Sequence, residues 1–277
     1  MTSIFSRLLT KTALAIWLPV LLIGGWWVLS SDSDSFYMPS LHDILLALRD
    51  AFRDDDLAGA TLYSVRNLLA GLALALVGGM TLGIALGLSP GVERATRPVL
   101  DFARAVPHIA FVPVIIVELG IGAWPKIVVI ALACVWPILL NTVDGARAIA
   151  PAAWDMTRSF RIPLPLFITR VAVPACLPRT AAGLRVALQV GLVTLLVSEM
   201  YGSDTGLGFY VLESGATYRI KDTWAGTILI GVLGYLLSLL LLYGERLLLG
   251  WHFRSADEAR PAGGTSTTRF FFRKASA

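Results

Sequence analysis

The sequence predicts an all-α membrane protein that crosses the bilayer six times. Of its 277 residues, 56% are hydrophobic and 15% are charged, against about 45–50% and about 25% in soluble globular domains. The mean hydropathy is +0.72, and six apolar runs have the roughly 17–25 residues that a spanning helix needs. Together these observations exclude a disordered chain, a secreted disulfide scaffold and an ordinary soluble enzyme.

The six apolar runs account for most of the chain. They are expected at 13–29, 68–88, 106–124, 127–143, 181–200 and 225–243. The first lacks a small-x-small cleavage site and is taken as an uncleaved span rather than a signal peptide. The third and fourth are separated by a turn at Pro125, which predicts a tight helical hairpin.

Two further patterns refine the helices. After the first span, Leu41, Leu45, Leu48 and Phe52 recur at helical spacing and predict an amphipathic helix at the outer surface. The second span carries a small residue at every fourth position. We interpret this stripe as a surface on which another helix of the same chain packs, with a dimer face as the alternative. It comprises Gly71, Ala75, Gly79, Gly83 and Gly87.

The basic residues predict the orientation. With the N-terminus inside, the inside segments hold 17 of the 23 Lys and Arg residues and the outside segments hold 6. Cytoplasmic loops retain such residues, so we expect a cell (inner or plasma) membrane protein with both termini cytoplasmic. The same distribution explains the pI of about 9.3 without a nucleic-acid partner.

The domain organisation is simple. We expect one transmembrane domain at 1–255, with its longest inside loop at 144–179, and a Gly/Ser/Thr-rich cytoplasmic tail at 256–277 that is disordered. None of the four lysines completes a phosphate-binding loop, and no H-E-x-x-H or G-x-S-x-G motif occurs. The sequence therefore predicts no catalytic residue, no metal site and no cofactor, so that energy for transport must come from a partner or an ion gradient.

The long inside loop holds the most specific pattern. Pro151 suits a first helical position, and a helix is expected over 152–162, stopped before Pro163. Met156 and Phe160 share one face of it. Such a helix either docks into a groove on a soluble partner or rests on lipid headgroups.

A family resemblance favours the docking alternative. Val171–Pro178 followed by Gly183-Leu184-Arg185 resembles the V-x-L-P-x-x-x-P…G-L-R stretch of ATP-binding-cassette (ABC) importer permeases, where it belongs to the cytoplasmic EAA loop. The branch it looks most like serves nitrate, taurine and aliphatic sulfonates. Further similar motifs follow in order along the chain. They are Met38-Pro39-Ser40, Ser64-Val65-Arg66 with Gly71, Leu119–Gly122, Pro137–Thr142 with Gly145, and Glu199-Met200 with Gly206-Leu207-Gly208.

The resemblance implies a type I ABC importer permease. It implies that two copies pair as a homodimer, that a separate ABC ATPase dimer binds the inside loops, and that an extracytoplasmic solute-binding protein delivers the substrate. The implied contacts with the ATPase lie at Asp155, Met156, Arg158, Ser159, Phe160, Arg161 and Pro163.

The loop departs from the family pattern at two points. Asp155-Met156-Thr157 stands where the family usually has E/D-A-A, and Arg161 stands where it has a glycine. Glycine allows a turn that residues with a side chain resist. With Arg161 in its place, we expect the turn of this loop to differ in geometry from that of the family.

Polar groups within the spans are candidates for the transport path or a gate, because an ionisable group at the centre of a span costs about 2.5–3.5 kcal/mol. Arg185 either snorkels or lines the path, and Gln189 joins helices or contacts substrate. Glu118 either pairs with Lys126 or selects substrate. The full candidate set is Glu118, Asn141, Arg185, Gln189 and Glu199, with Glu199 either a hydrogen-bonded structural carboxylate or a gate.

The function expected from these observations is that of a membrane subunit forming the path for a small solute. Family analogy suggests an organic or inorganic anion, such as a sulfonate, taurine, nitrate or an aromatic acid. The alternatives are an ABC permease for a neutral or cationic vitamin precursor, and a secondary transporter, which the missing inverted repeat disfavours.

Overall fold

A computed structural model describes residues 17–18, 20–30 and 35–250, and these contain helices and no strand. The predicted tail at 256–277 and the first residues of the predicted first span lie outside the described residues. The helices are α1 (Val20–Ser30), α2 (Leu41–Asp54), α3 (Leu57–Gly87), α4 (Pro90–Ala105), α5 (Val112–Leu119), α6 (Ala123–Arg147), α7 (Pro151–Ser159), α8 (Leu164–Phe167), α9 (Val173–Gly202), α10 (Leu207–Ala216) and α11 (Ile220–Leu248).

In the described part of the chain, four helices are long and apolar enough to cross a membrane by themselves. They are α3, α6, α11 and the helix of 39 residues from Leu164 to Gly202, in which α8, a π-helical segment and α9 run on without a break. A fifth crossing arises if α4 and the segment His108–Leu119, bent by 75° relative to each other, count as one span. The predicted multi-pass all-α class is confirmed, and the amphipathic helix expected near Leu41 is α2.

The predicted third span, 106–124, is divided in the structure. A 3-10 turn at His108–Phe111 precedes α5, which has 8 residues. At 1.5 Å per residue α5 is about 12 Å long, far short of the roughly 30 Å hydrocarbon core. Pro107 and Pro113 lack the N–H groups that a continuous helix would need here, so a crossing at this point has to include α4.

The predicted turn at Pro125 is wrong. The chain turns at Gly120–Gly122, where Gly120 has φ 81° and Gly122 has φ 151°, conformations that favour glycine. Pro125 lies in the first turn of α6, where a missing N–H leaves no helical hydrogen bond unmade.

Helix α6 lies between α3 and α9 and contacts both along most of its length. On the α3 side, the predicted stripe of small residues packs against it, which confirms the intramolecular interpretation. A Cβ atom added at Gly71 would lie 2.5 Å from Ile130, one at Gly83 would lie 2.6 Å from Thr142, and one at Gly87 would lie 2.5 Å from Ala146. The two backbones therefore approach as closely as glycine permits.

Small residues also form the opposite interface. A Cβ atom on Gly183 of α9 would lie 2.6 Å from the Pro137 carbonyl oxygen, and one on Gly191 would lie 2.9 Å from the Cys134 Sγ atom. Gly145 of α6 approaches the Cys176 backbone in the same way, at 3.0 Å. Leu68, Ile130, Ile138 and Leu195 fill the space between the three helices and are fully buried.

The two ends of this three-helix frame carry different structures. We name the end that carries Arg147, α7 and α8 the loop end, and the end that carries the Gly120–Gly122 turn and α10 the cap end. At the cap end, α2 is joined to the start of α11: Lys221 pairs with Asp43 at 2.9 Å and Arg219 pairs with Asp55. The hydrogen bond from Lys221 holds the pKa of the Asp43 carboxyl below its ordinary value.

The packing of the stripe can be tested by comparing two glycines of α3, one in close contact with α6 and one outside that contact. Gly83→Ala is expected to lower the thermal stability of the purified protein, because the new methyl group overlaps Thr142 and the Leu139 carbonyl and overpacking costs about 1–3 kcal/mol. Gly78→Ala is the matched control: its Cβ atom meets Val135 only at 4.0 Å, so it should be neutral or gain up to about 1 kcal/mol of helix propensity. Equal melting temperatures for the two variants would contradict the close approach of α3 and α6.

Candidate coupling surface and transport-path residues

Helix α7 is fixed to the loop end by one side and exposed on the other. Trp154 packs against Phe167, with ring centroids 4.5 Å apart, and Phe167 is fully buried in a cluster with Ile84, Ala146 and Cys176. On the other side, 57% of Met156 and 76% of Phe160 are exposed. The buried side thus holds the helix in position while two large apolar side chains point away from the chain.

All seven predicted coupling residues lie at or next to this helix. Asp155, Met156, Arg158, Ser159, Phe160, Arg161 and Pro163 are all exposed. The predicted loop, 144–179, is largely helical: α6 continues to Arg147 and the long helix resumes at Leu164, so that α7 is a short helix between two long ones.

Arg161 ends α7 in a conformation that glycine normally takes. Its φ is 51°, the Ile162 N–H donates to the Thr157 carbonyl at 2.9 Å, and the Arg161 N–H donates to the Arg158 carbonyl at 3.2 Å. This is the Schellman arrangement, with Arg161 at its left-handed position. The turn of the family's glycine is therefore kept, and an arginine adopts it at a conformational cost.

Glu199 lies at the cap end and is fully buried. Its carboxylate accepts hydrogen bonds from the Ser64 hydroxyl at 2.8 and 2.9 Å and from the Gly208 N–H at 2.9 Å. The Ser64 hydroxyl oxygen in turn accepts the Leu207 N–H at 2.9 Å. Leu207 and Gly208 begin α10, whose first N–H groups have no partner within the helix, so Glu199 and Ser64 cap α10 from two other helices.

This cap needs glycine on both sides of Leu207. A Cβ atom on Gly206, where φ is 112°, would lie 2.5 Å from the Glu199 carboxyl carbon, and one on Gly208 would lie 2.5 Å from the Leu196 carbonyl oxygen. Two of the motifs that carried the family resemblance, the one at Ser64 and the one formed by Glu199 with Gly206–Gly208, thus meet in one cluster. The negative carboxylate also lies at the positive end of the α10 dipole, which is favourable.

Lys126 forms a second anchor at the cap end. Its side chain is 1% exposed, and its ammonium donates to the Gly122 carbonyl at 2.7 Å and to the Tyr63 hydroxyl at 3.2 Å. Among the described residues it forms no ion pair with Glu118, so the predicted alternative of that pair is wrong. Glu118 is exposed.

The remaining path candidates are not gathered at one place. Gln189 is exposed on α9. Arg185, one turn earlier, pairs with Glu245 of α11 at 3.3 Å. The Asn141 amide donates to the Pro137 carbonyl of its own helix at 2.8 Å. The structure thus leaves Glu118 and Gln189 exposed and engages Arg185, Asn141 and Glu199 in contacts within the chain.

Sequence reasoning missed the buried roles of Ser64, Lys126 and Asn67. Ser64 and Asn67 are fully buried on α3, and the Asn67 side-chain amide makes no hydrogen bond within the described residues. A polar residue repeated on the packing side of an apolar helix is the signal that marks such positions. In the described ranges no cluster of His, Cys, Asp or Glu could hold a metal ion.

Comparisons with known proteins agree with this architecture. Residues 75–248 match the family described as binding-protein-dependent transport system inner membrane component. The chain is 30% identical to the putative aliphatic sulfonates transport permease protein of Bacillus subtilis, over 88% of this chain and 86% of that protein. It is 28% identical to the taurine transport system permease protein of Escherichia coli, over 87% of this chain and 90% of that protein.

A solved structure supports the fold. An inward-facing MetNI methionine ABC transporter chain superposes with a TM-score of 0.57 at 18% identity, covering 69% of this chain and 95% of that one.

The cap predicts a local effect of Glu199→Gln. The Gln amide presents an NH₂ group where the carboxylate accepts bonds, and a buried hydrogen bond to a charged group is worth about 1.5–3 kcal/mol. Hydrogen exchange at the first amides of α10 should therefore accelerate by about tenfold or more. Glu213→Gln, an exposed change on α10 itself, is the control. Unchanged exchange in both variants would show that Glu199 does not hold α10.

The left-handed conformation of Arg161 predicts that a glycine at this position stabilises the end of α7. Arg161→Gly should slow hydrogen exchange in α7 and stabilise its end by about 0.5–1 kcal/mol, because an L-residue pays for this conformation and glycine does not. Arg158→Gly lies inside α7 and should instead cost about 1 kcal/mol. If both glycine variants loosen α7 alike, the strained turn is not present.

Proposed function

The chain belongs to the family of inner-membrane components of binding-protein-dependent transport systems, and from this we propose that two copies form the path by which a small sulfonate anion is imported. As a permease subunit of an ABC importer, the chain is not an enzyme, and ATP is hydrolysed by a separate ABC ATPase subunit. Membership of this family also removes the secondary transporter from consideration.

In this proposal, the ATPase binds this chain at the exposed side of α7. Large apolar side chains in water are unfavourable unless a partner covers them, and Met156 and Phe160 lie one helical turn apart on the exposed side. Trp154 connects α7 to the buried cluster around Phe167. A displacement of α7 by the ATPase would therefore be passed to α3, α6 and α9, rather than absorbed by a loose loop.

The orientation follows from the same proposal. The ATPase is cytoplasmic, so the loop end faces the cytoplasm. If the predicted first span and the bent pair of α4 and His108–Leu119 each cross once, the four long helices bring the total to six crossings, and both termini lie in the cytoplasm as well. The 17-to-6 division of basic residues supports this assignment. The cap end then faces outwards, where the solute-binding protein of such systems delivers its cargo.

A sulfonate is the substrate class that the relatives favour. The relatives from Bacillus subtilis and Escherichia coli are named for aliphatic sulfonates and for taurine, and both kinds of molecule carry a sulfonate group. The exposed Gln189 and the arginines near the loop end are groups that can donate hydrogen bonds to such an anion.

Glu118 favours a second candidate, a neutral or cationic vitamin precursor. This carboxylate is exposed near the Gly120–Gly122 turn, and no described residue forms an ion pair with it. If it faces the path, it repels anions and attracts cations. Glu118→Gln would then impair uptake of a cation and leave sulfonate uptake unchanged or improved.

The coupling proposal is tested with Phe160→Ala. Truncating a central apolar anchor commonly costs about 2 kcal/mol or more, which is roughly thirtyfold in affinity. Less ATPase should therefore remain on the purified permease, and uptake of taurine by vesicles containing the permease, its ATPase and its binding protein should fall in proportion. The fold should survive, because Phe160 is exposed.

Phe52→Ala is the matched control, an exposed phenylalanine on α2 at the cap end. It should leave retention of the ATPase unchanged. If Phe160→Ala retains as much ATPase as the wild type, α7 is not the docking helix. If the wild-type assembly holds its ATPase but takes up no sulfonate, the proposed substrate is wrong and the coupling surface stands.

A further inference from the structure

Helix α4 climbs from the loop end towards the middle of the bundle. Near its start, the buried Glu93 carboxylate accepts a hydrogen bond from Arg147 at 3.1 Å. Just beyond its end, the His108 ring lies 5.9 Å from the Trp136 ring. Trp136 precedes Arg147 by eleven residues of α6, or about 16 Å along the helix axis. This rise along α6 is roughly half of the thickness of the hydrocarbon core, which is about 30 Å.

The two sides of α4 differ sharply. Val92, Val99 and Phe102 lie on one side, and 66% of Val99 and 73% of Phe102 are exposed. The other side carries the arginine face, which we define as Arg94, Arg97 and Arg104 together with Asp101. The apolar side is suited to contact with lipid tails. The arginine face at the same depth is not, because a charged side chain at the centre of a span costs about 2.5–3.5 kcal/mol.

Only part of this charge is neutralised within the chain. Arg104 pairs with Asp101 at 3.0 Å, and about half of each side chain is exposed. Arg97 is exposed and forms no hydrogen bond or ion pair with any described residue. Charged side chains within the membrane almost always face a water-filled cavity or the interior of a bundle. Because Arg97 has no partner among the described residues, we expect water on its side of α4.

We propose that the arginine face of α4 lines a water-filled, cationic vestibule in the loop-end half of the transport path, through which the anion leaves. This inference rests on the proposed function for the path and the anion. Low-dielectric walls on either side strengthen the field of the arginines in such a cavity and raise the local concentration of anions. Guanidinium groups also match the oxygens of a sulfonate in geometry, while the surrounding water keeps each contact weak enough for release.

The test uses two cysteines on opposite sides of α4 at almost the same depth. Arg97→Cys and Val99→Cys are made separately in a background in which Cys134 and Cys176 are alanine. Each is purified with its ATPase and reconstituted in phosphatidylcholine vesicles. Labelling rates are then measured with a negatively charged and a positively charged methanethiosulfonate reagent, both unable to cross the membrane.

The vestibule predicts that the cysteine at 97 reacts about tenfold faster than the cysteine at 99, since only the first faces water. The negative reagent should be favoured at 97 by about threefold or more, after correction for its rate with free cysteine, because surface potentials of this kind reach several kT. Added salt should reduce this preference by screening. Arg104→Gln in the same background should reduce it as well.

Three results would overturn the vestibule. One is equal labelling at 97 and 99, and another is a preference at 97 for the positive reagent. The third is a labelling rate of the cysteine at 97 with the negative reagent that falls when anionic phosphatidylglycerol replaces part of the phosphatidylcholine. Such a fall would place residue 97 among the lipid headgroups. These labelling rates do not depend on the substrate. An assembly that shows the predicted labelling but imports no sulfonate therefore contradicts the proposed substrate alone.

Discussion

The close packing of α6 between α3 and α9 is the constraint on which the rest of the structure depends. Lipid tails are as apolar as leucine side chains, so burial from water does not drive helices together within a bilayer, and close van der Waals contact does. Glycines supply that contact on both sides of α6. The glycines of α3 lie against Ile130, Ile138 and Thr142 of α6, and the glycines of α9 lie against Cys134 and Pro137 of α6. The three helices therefore behave as one frame rather than as separate spans.

Both functional ends are attached to this frame by buried contacts between distant segments. At the cap end, Glu199 of α9 and Ser64 of α3 together hold the start of α10. At the loop end, Phe167 and Cys176 lie in one buried cluster with Ile84 and Ala146, and Trp154 of α7 packs on it. A frame that is rigid between two such attachments can carry a displacement of α7 across the thickness of the membrane, which is what an importer driven by a separate ATPase requires.

The sequence predicted the features that depend on local periodicity and missed those that depend on tertiary contact. The glycine stripe, α2 and α7 were predictable because a repeat of three or four residues is visible in one segment. The pairing of Ser64 with Glu199 joins residues that are 135 positions apart, and no pattern within either segment reveals it. The turn at Gly120–Gly122 was misplaced at Pro125 because proline is tolerated in the first turn of a helix as well as in a turn. The side of α7 that packs against the bundle was missed for the same reason. Trp154 contacts Phe167, which lies outside α7, so the periodicity of α7 does not identify this contact.

The most direct test of the frame is the distance between α6 and α9 in the protein itself. A cysteine at Gly191 would place its Cβ atom 2.9 Å from the Sγ atom of the native Cys134. In a background with Cys176→Ala, Gly191→Cys is therefore expected to form an intrachain disulfide on mild oxidation, seen as the loss of two hydrogen atoms from the intact mass. Val190→Cys, one residue away on an exposed position, should not form it. A Gly191→Cys protein that stays reduced, or that links only to a second chain, would contradict the close packing on which this account depends.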